Sequence, residues 1–157
     1  VENWKPKSKT PDEALELLKR QCSLREFCQS DIRNKLYKWA VSPADQDAII
    51  ADLINDGFLN EERYASAFVH DKATIQGWGE VKIRAALKQK GISDFSINKG
   101  LNRDDISFEE ILDEQYERYY RRYKSLSLKK RNAKIAERLI QRGFSSSLIW
   151  KLIKERG

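Results

Sequence analysis

The sequence predicts an all-α fold, three tandem three-helix repeats stacked into an elongated, curved body. Three observations predict it. Apolar residues recur at steps of three and four along nearly the whole chain, and strict alternation over a strand length is absent. Helix start and stop signals punctuate the chain at short intervals. Several apolar positions also recur at one fixed spacing. Ile32, Ile83 and Ile135 are 51 and 52 residues apart, and so are Leu36, Leu87 and Leu139. The same offsets join Val41, Ile92 and Phe144, then Ser42, Ser93 and Ser145. A unit of about 50 residues has a thin core, so neighbouring units should share apolar surface. The hand of such a stack is open from sequence, and a compact three-unit bundle is the competing architecture.

The elements follow in order. Residues 1–10 carry Lys5, Lys7 and Lys9 with Pro6 and read as a flexible basic arm. The first repeat spans 11–56, with helices over 11–20, 24–39 and 43–56. Thr10-Pro11-Asp12-Glu13 supplies a cap, a proline at the first helical position and an acid for the first turn. Ser23-Leu24-Arg25-Glu26 fits a capping box for the second helix. The second repeat spans 57–101, with helices over 61–75, 79–90 and 94–101. Asn60 caps the first of these, and Glu61 and Glu62 suit the positive end of its dipole. A polar connector, 102–106, leads to the third repeat at 107–157, with helices over 108–124, 129–142 and 146–156. Phe108, Ile111, Leu112, Tyr116, Tyr119, Tyr120 and Tyr123 trace one helical stripe, so these tyrosines should mostly pack. Gly57, Gly91 and Gly143 sit where helices should stop in a left-handed cap.

Several function classes find no support. No apolar run reaches the roughly 18 residues of a membrane span, and the first residues lack the apolar stretch of a signal peptide. A soluble, cytoplasmic monomer is expected. Cys22 and Cys28 are six residues apart and make neither a disulfide scaffold nor a zinc site, and His70 is the single histidine. No phosphate loop or dinucleotide glycine fingerprint occurs. No catalytic, metal or cofactor residue is therefore assigned, and no enzyme is expected.

The charge is uneven. Thirty Lys and Arg against 24 Asp and Glu give +6. Residues 116–138 hold nine cations against Glu117 and Glu137, which is +7, so the rest of the chain is −1. Arg118, Arg121, Arg122, Lys124, Lys129, Lys130, Arg131 and Lys134 in this stretch are candidates for phosphate or an acidic protein surface. A solvated helix face is the equal alternative.

The middle repeat carries a distinctive string: Gly57-Phe58-Leu59-Asn60-Glu61-Glu62-Arg63-Tyr64-Ala65, then Phe68-Val69, Gly77-Trp78-Gly79, Ile83-Arg84, Leu87 and Lys90-Gly91-Ile92. It resembles the RecX family of bacterial recombinase regulators. Ala14-Leu15, Leu17-Leu18, Ser23 with Glu26, and Arg142-Gly143-Phe144-Ser145 extend the resemblance over roughly 11 to 156. Asn60 stands where the family often has Asp, and Ala40 where it frequently has Gly. The resemblance implies a non-enzymatic regulator, mainly an inhibitor, of the RecA recombinase in DNA repair, recombination and the SOS response. It implies binding to RecA and to the RecA filament, with effects on ATP hydrolysis, filament growth and strand exchange. Members also bind DNA, with single-stranded DNA the expected form and double-stranded DNA a further one. A stand-alone helical DNA-binding protein is the alternative. Gly57, Arg63, Tyr64, Phe68, Gly77, Trp78, Gly79, Ile83, Leu87, Gly91, Gly143 and Phe144 are read as structural. Arg63 should bridge to a carboxylate between units, and Trp78 should pack in the core or between units. Arg84 follows core residue Ile83, should lean toward solvent and is a further contact candidate.

Overall fold

Nine α-helices and no strands make up the described residues, 7–157, of the computed structural model. They are α1 (Pro11–Leu24), α2 (Gln29–Lys38), α3 (Pro43–Asn55), α4 (Glu61–His70), α5 (Glu80–Gln89), α6 (Asp94–Leu101), α7 (Phe108–Tyr123), α8 (Leu128–Gln141) and α9 (Ser146–Arg156). A π-helical turn, Asp71–Ile75, prolongs α4. No helix among the described residues is long and apolar enough to cross a membrane.

Local chemistry starts most helices as the caps predict. Thr10, Ser42, Asn60, Ser93, Ser107 and Ser145 each accept a hydrogen bond from a backbone N–H in the first turn. The α1–α2 connection departs from the sequence-based expectation. α1 continues to Leu24, and the Ser23 hydroxyl turns back to donate to the Arg20 carbonyl. α2 begins only at Gln29, capped by Cys28, whose N–H donates to the Asp31 carboxylate at 3.3 Å. The predicted Ser23–Glu26 box is unused. An extended stretch at Arg25 lets Phe27 and Cys28, 8% and 3% exposed, enter the interior. Burying that much apolar surface outweighs one local cap.

The recurring positions become core. Ile32, Ile83 and Ile135, like Leu36, Leu87 and Leu139, are fully buried. Two clusters result. One fills α1–α3 around Leu18, Ile32, Leu36 and Leu53. The other is continuous through α4–α9, and Cys28 of the first unit joins it. The second and third units therefore share one core, and the first keeps its own.

The middle helices meet end to end. The C-terminus of α8 abuts the N-terminus of α5: Gly79 N–H donates to the Arg142 carbonyl at 2.8 Å, and Val81 N–H to the Gly143 carbonyl at 2.9 Å. Each set of orphan groups satisfies the other, and the dipoles align favourably. A Cβ on Gly79 would fall 2.5 Å from the Gly143 carbonyl carbon, so this approach requires glycine. The same joint recurs one unit earlier through side chains. Cys28 occupies the repeat position of Gly79, and there the Ser30 hydroxyl donates to the Lys90 carbonyl at 3.0 Å. Lys90 Nζ also meets Asp31 at 2.7 Å. At the start of the column, Lys9 N–H donates to the Trp39 carbonyl at 3.0 Å, and its ammonium lies 5.5 Å from the centre of the Trp39 ring. Lys9, in the expected flexible arm, is thus docked; residues 1–6 lie outside the described residues.

Candidate nucleic-acid interface

The basic stretch folds into the α7–α8 hairpin. Its apolar stripe turns inward: Tyr116 and Tyr119 are buried, and Tyr120 and Tyr123 pack partly buried against the same core. The rings run in tiers, Tyr116 with Tyr120 at 6.0 Å and Tyr119 with Tyr123 at 6.5 Å between centroids. Two of the hydroxyls are engaged too. Arg142 donates to Tyr119 Oη at 2.9 Å and Arg138 to Tyr123 Oη at 3.0 Å. Burial raises the Tyr116 hydroxyl above its ordinary pKa. These tyrosines are held in packing and are not free platforms for bases.

The cations separate by geometry. Arg118, Arg121, Arg122, Lys124, Lys129, Lys130 and Lys134 are exposed. Five of them flank the short turn between α7 and α8 and so crowd one end of the hairpin. Arg121 and Arg122 close α7, where positive charge suits the helix dipole. Lys129, Lys130 and Arg131 open α8, where it does not, and no acidic residue stands in that first turn. Arg131 is half-buried, lying 4.8 Å from the centre of the Tyr120 ring, and its Nε has no hydrogen-bond partner. Lys134 is 3.8 Å from Glu137. The turn is a concentrated positive surface whose local charges repel one another, which an anion would relieve.

The remaining candidates sit elsewhere. Arg84 is half-buried and donates to Asn98 Oδ1 at 2.8 Å, apart from the hairpin. It is tethered to α6 instead of leaning free, because Asn98 stands within its reach. Arg63 pairs with Glu26 of the first unit and donates to the Gly57 carbonyl at 2.9 Å. Trp78 is half-buried, edge-on to Phe68 at 6.4 Å, with Lys72 and Lys82 at 4.8 and 4.2 Å from its ring. Tyr64, Phe68, Ile83, Leu87 and Phe144 belong to or pack on the larger core. Gly57, Gly77, Gly91 and Gly143 all take positive φ. Among the described residues no group of metal-ligating side chains gathers.

Two polar constellations were not read from sequence. Asp31 and Lys90 fasten the first joint. Burial works to raise the Asp31 carboxyl, but hydrogen bonds from Lys90 and Cys28 outweigh it and hold the pKa below the usual range. Glu61 accepts from Ser93 and Ser96 at 2.8 and 2.7 Å. There too burial pushes up, and those bonds prevail in holding the carboxyl down. The partners are 59 and 35 residues apart in the chain, beyond any local pattern.

Two family profiles match the chain: the second three-helix domain of RecX over residues 60–101 and the third over 108–153. The regulatory protein RecX of Pseudomonas savastanoi pv. phaseolicola is 31% identical over 144 residues, 92% of this chain and 89% of the relative. That of Leptothrix cholodnii is 31% identical over 131 residues, 83% and 80% of the two chains. The crystal structure of RecX from Lactobacillus salivarius superposes with a TM-score of 0.79 at 23% identity, over 92% of this chain and 95% of that one. Another crystal structure of a regulatory protein RecX gives 0.81 at 24%, over 92% and 73%. These two likenesses bear on the fold.

Proposed function

We propose, since the chain belongs to the RecX family of regulatory proteins, that it regulates the RecA recombinase by binding the filament RecA forms on single-stranded DNA. In this reading it is a binding protein without cofactor or catalytic group. It slows ATP hydrolysis, filament growth and strand exchange by occupying surface that the filament needs. The observation that carries the reading is the family match, which extends over nearly the whole chain. The exposed cations of the α7–α8 turn support it as the part that meets DNA phosphates. A repeat body suits a partner that is itself extended. Purified protein added to the same organism's RecA on single-stranded DNA should lower the ATP hydrolysis rate at near-stoichiometric amounts. No change at that ratio would end the proposal.

The lack of any acid in the first turn of α8 favours a second reading, DNA binding without RecA. Arg121, Arg122, Lys129 and Lys130 changed to Glu should then abolish binding to a labelled single strand. For single strands, loss of up to four phosphate contacts lowers the slope of log affinity against log salt by up to about 3. Retained affinity with an unchanged slope would remove the hairpin from the interface.

A further inference from the structure

The joints between units create the same cleft twice. The first is lined by Gln29, Asn60, Glu61, Ile92, Ser93 and Ser96. The second, of about 500 Å³, is lined at the matching repeat positions by Glu80, Leu112, Asp113, Phe144, Ser145 and Leu148. Each keeps large apolar side chains in solvent: Ile54 and Phe95 (68% exposed) in the first, Val81 (55%) and Leu148 (52%) in the second. Packing does not require them, because both cores close beneath these residues without them.

The clefts have diverged in a directed way. In the first, Glu61 fills its own space by accepting from Ser93 and Ser96. In the second, Leu148 replaces Ser96 and Leu112 replaces Asn60, and Asp113 is drawn away to Arg156. Its floor is therefore apolar. Its rim holds Glu80, Glu109 and Glu155, none of which meets a cation among the described residues. The only other charges on it are Lys151 and the paired Asp113 and Arg156. An acidic rim repels phosphate, so this surface cannot share the role of the basic hairpin. Apolar anchors inside a charged rim are the anatomy of a protein interface.

We infer that the two clefts are matched protein-docking sites, taking a partner protein that presents an apolar side chain to each cleft, flanked by Lys or Arg at the second. The inference rests on the proposed function, in which that partner is RecA. It divides the labour within this chain: the α7–α8 turn meets nucleic acid and the clefts meet protein.

Two variant sets test it, each checked to keep the wild-type melting temperature. One is Val81→Ser with Phe95→Ser and Leu148→Ser; the other is Glu80→Lys with Glu109→Lys and Glu155→Lys. Leu24→Ser, at a residue 87% exposed and outside both clefts, is the control. Affinity for RecA without DNA is read by biolayer interferometry, and affinity for a labelled single strand by anisotropy. Both sets should bind RecA at least about tenfold more weakly, the size expected when central anchors are lost. Neither should lose affinity for the single strand, and the control should match wild type in both assays. If wild type binds RecA and the cleft variants bind it within twofold, the assignment of the docking sites is overturned and the proposed function stands. If wild type itself does not bind RecA, both fall.

Discussion

Replacing Gly79 with alanine isolates the end-to-end joint of α5 and α8. Its φ is −83°, so alanine meets no backbone strain there. The whole cost comes from the new Cβ, which would sit 2.5 Å from the Gly143 carbonyl carbon and 2.6 Å from Phe144 N. Both obstacles are backbone, so the helix ends must part. Parting them weakens the bonds from Gly79, Val81 and Lys82 to the Arg142 and Gly143 carbonyls, and strains the 2.6 Å bond from Arg142 to the Gln76 carbonyl. At about 1 kcal/mol each the loss is about 3–4 kcal/mol, reduced by about 0.4–1 for the lower entropy of the unfolded alanine chain. Gly91→Ala is the reference. Nothing lies within 4 Å of its added Cβ, and only its φ of +79° opposes the change. That costs about 1–2 kcal/mol before the same offset. With a urea slope of about 2 kcal/mol/M, Gly79→Ala should lower the midpoint by about 1–1.8 M and Gly91→Ala by about 0.8 M or less. Amide exchange at Val81 and Lys82 should accelerate in the first variant only. Equal midpoints, or unchanged exchange at those two amides, would refute the close-contact account.

Three further outcomes are expected. Ala40 holds φ 56° at the position where Gly91 and Gly143 stand in the later units, so Ala40→Gly should raise stability by up to about 1.6 kcal/mol in urea titration. Asp31 has a lowered folded pKa, so its contribution is present above the unfolded value of about 3.9 and fades as pH falls through the folded one. Asp31→Asn should accordingly lose less of its pH 6 stability at pH 3 than wild type does. Leu36→Ala and Leu139→Ala, both in fully buried sites, should each cost about 2–5 kcal/mol. By hydrogen exchange the first should loosen α1–α3 alone, and the second should loosen α4–α9 together, since those helices share a core.

The three-unit plan was legible because a buried position repeats its demand: Ile32, Ile83 and Ile135 must all be apolar at the same turn of the same helix. Caps were legible where one residue decides them, as at Ser42 and Ser93. The start of α2 was not, since Ser23 and Glu26 satisfy a local rule while the burial of Phe27 and Cys28, a tertiary demand, decides the outcome. Nor was the role of Gly79. Gly77-Trp78-Gly79 reads as a tight loop, and only the arrival of Gly143, 64 residues later in the chain, turns Gly79 into a contact surface. The π turn at Asp71–Ile75, where Trp78 N–H reaches back to the Lys72 carbonyl at 2.9 Å, left no mark in the apolar period. For the candidate interface, charge was legible and occupancy was not. Arg84 and Arg138 count as cations in the sequence, yet each guanidinium is already committed to a neighbour. The clefts became visible when matched positions such as Ser96 and Leu148 could be placed in the same kind of hollow.

The column of middle helices gives the stack a direction. Its carbonyl end is closed, because Lys9 already occupies the position that another unit would need at Trp39. Its amide end, at the start of α8, carries no such plug among the described residues, and Ser127 makes no side-chain cap there. At that end the position matching Gly79 is Arg131, which lies inside α8 behind the turn begun by Leu128, so the joint used twice is not repeated there. The column is thus finished differently at its two ends: a backbone bond and a cation over an indole close one, and an added helical turn carrying Lys129 and Lys130 forms the other.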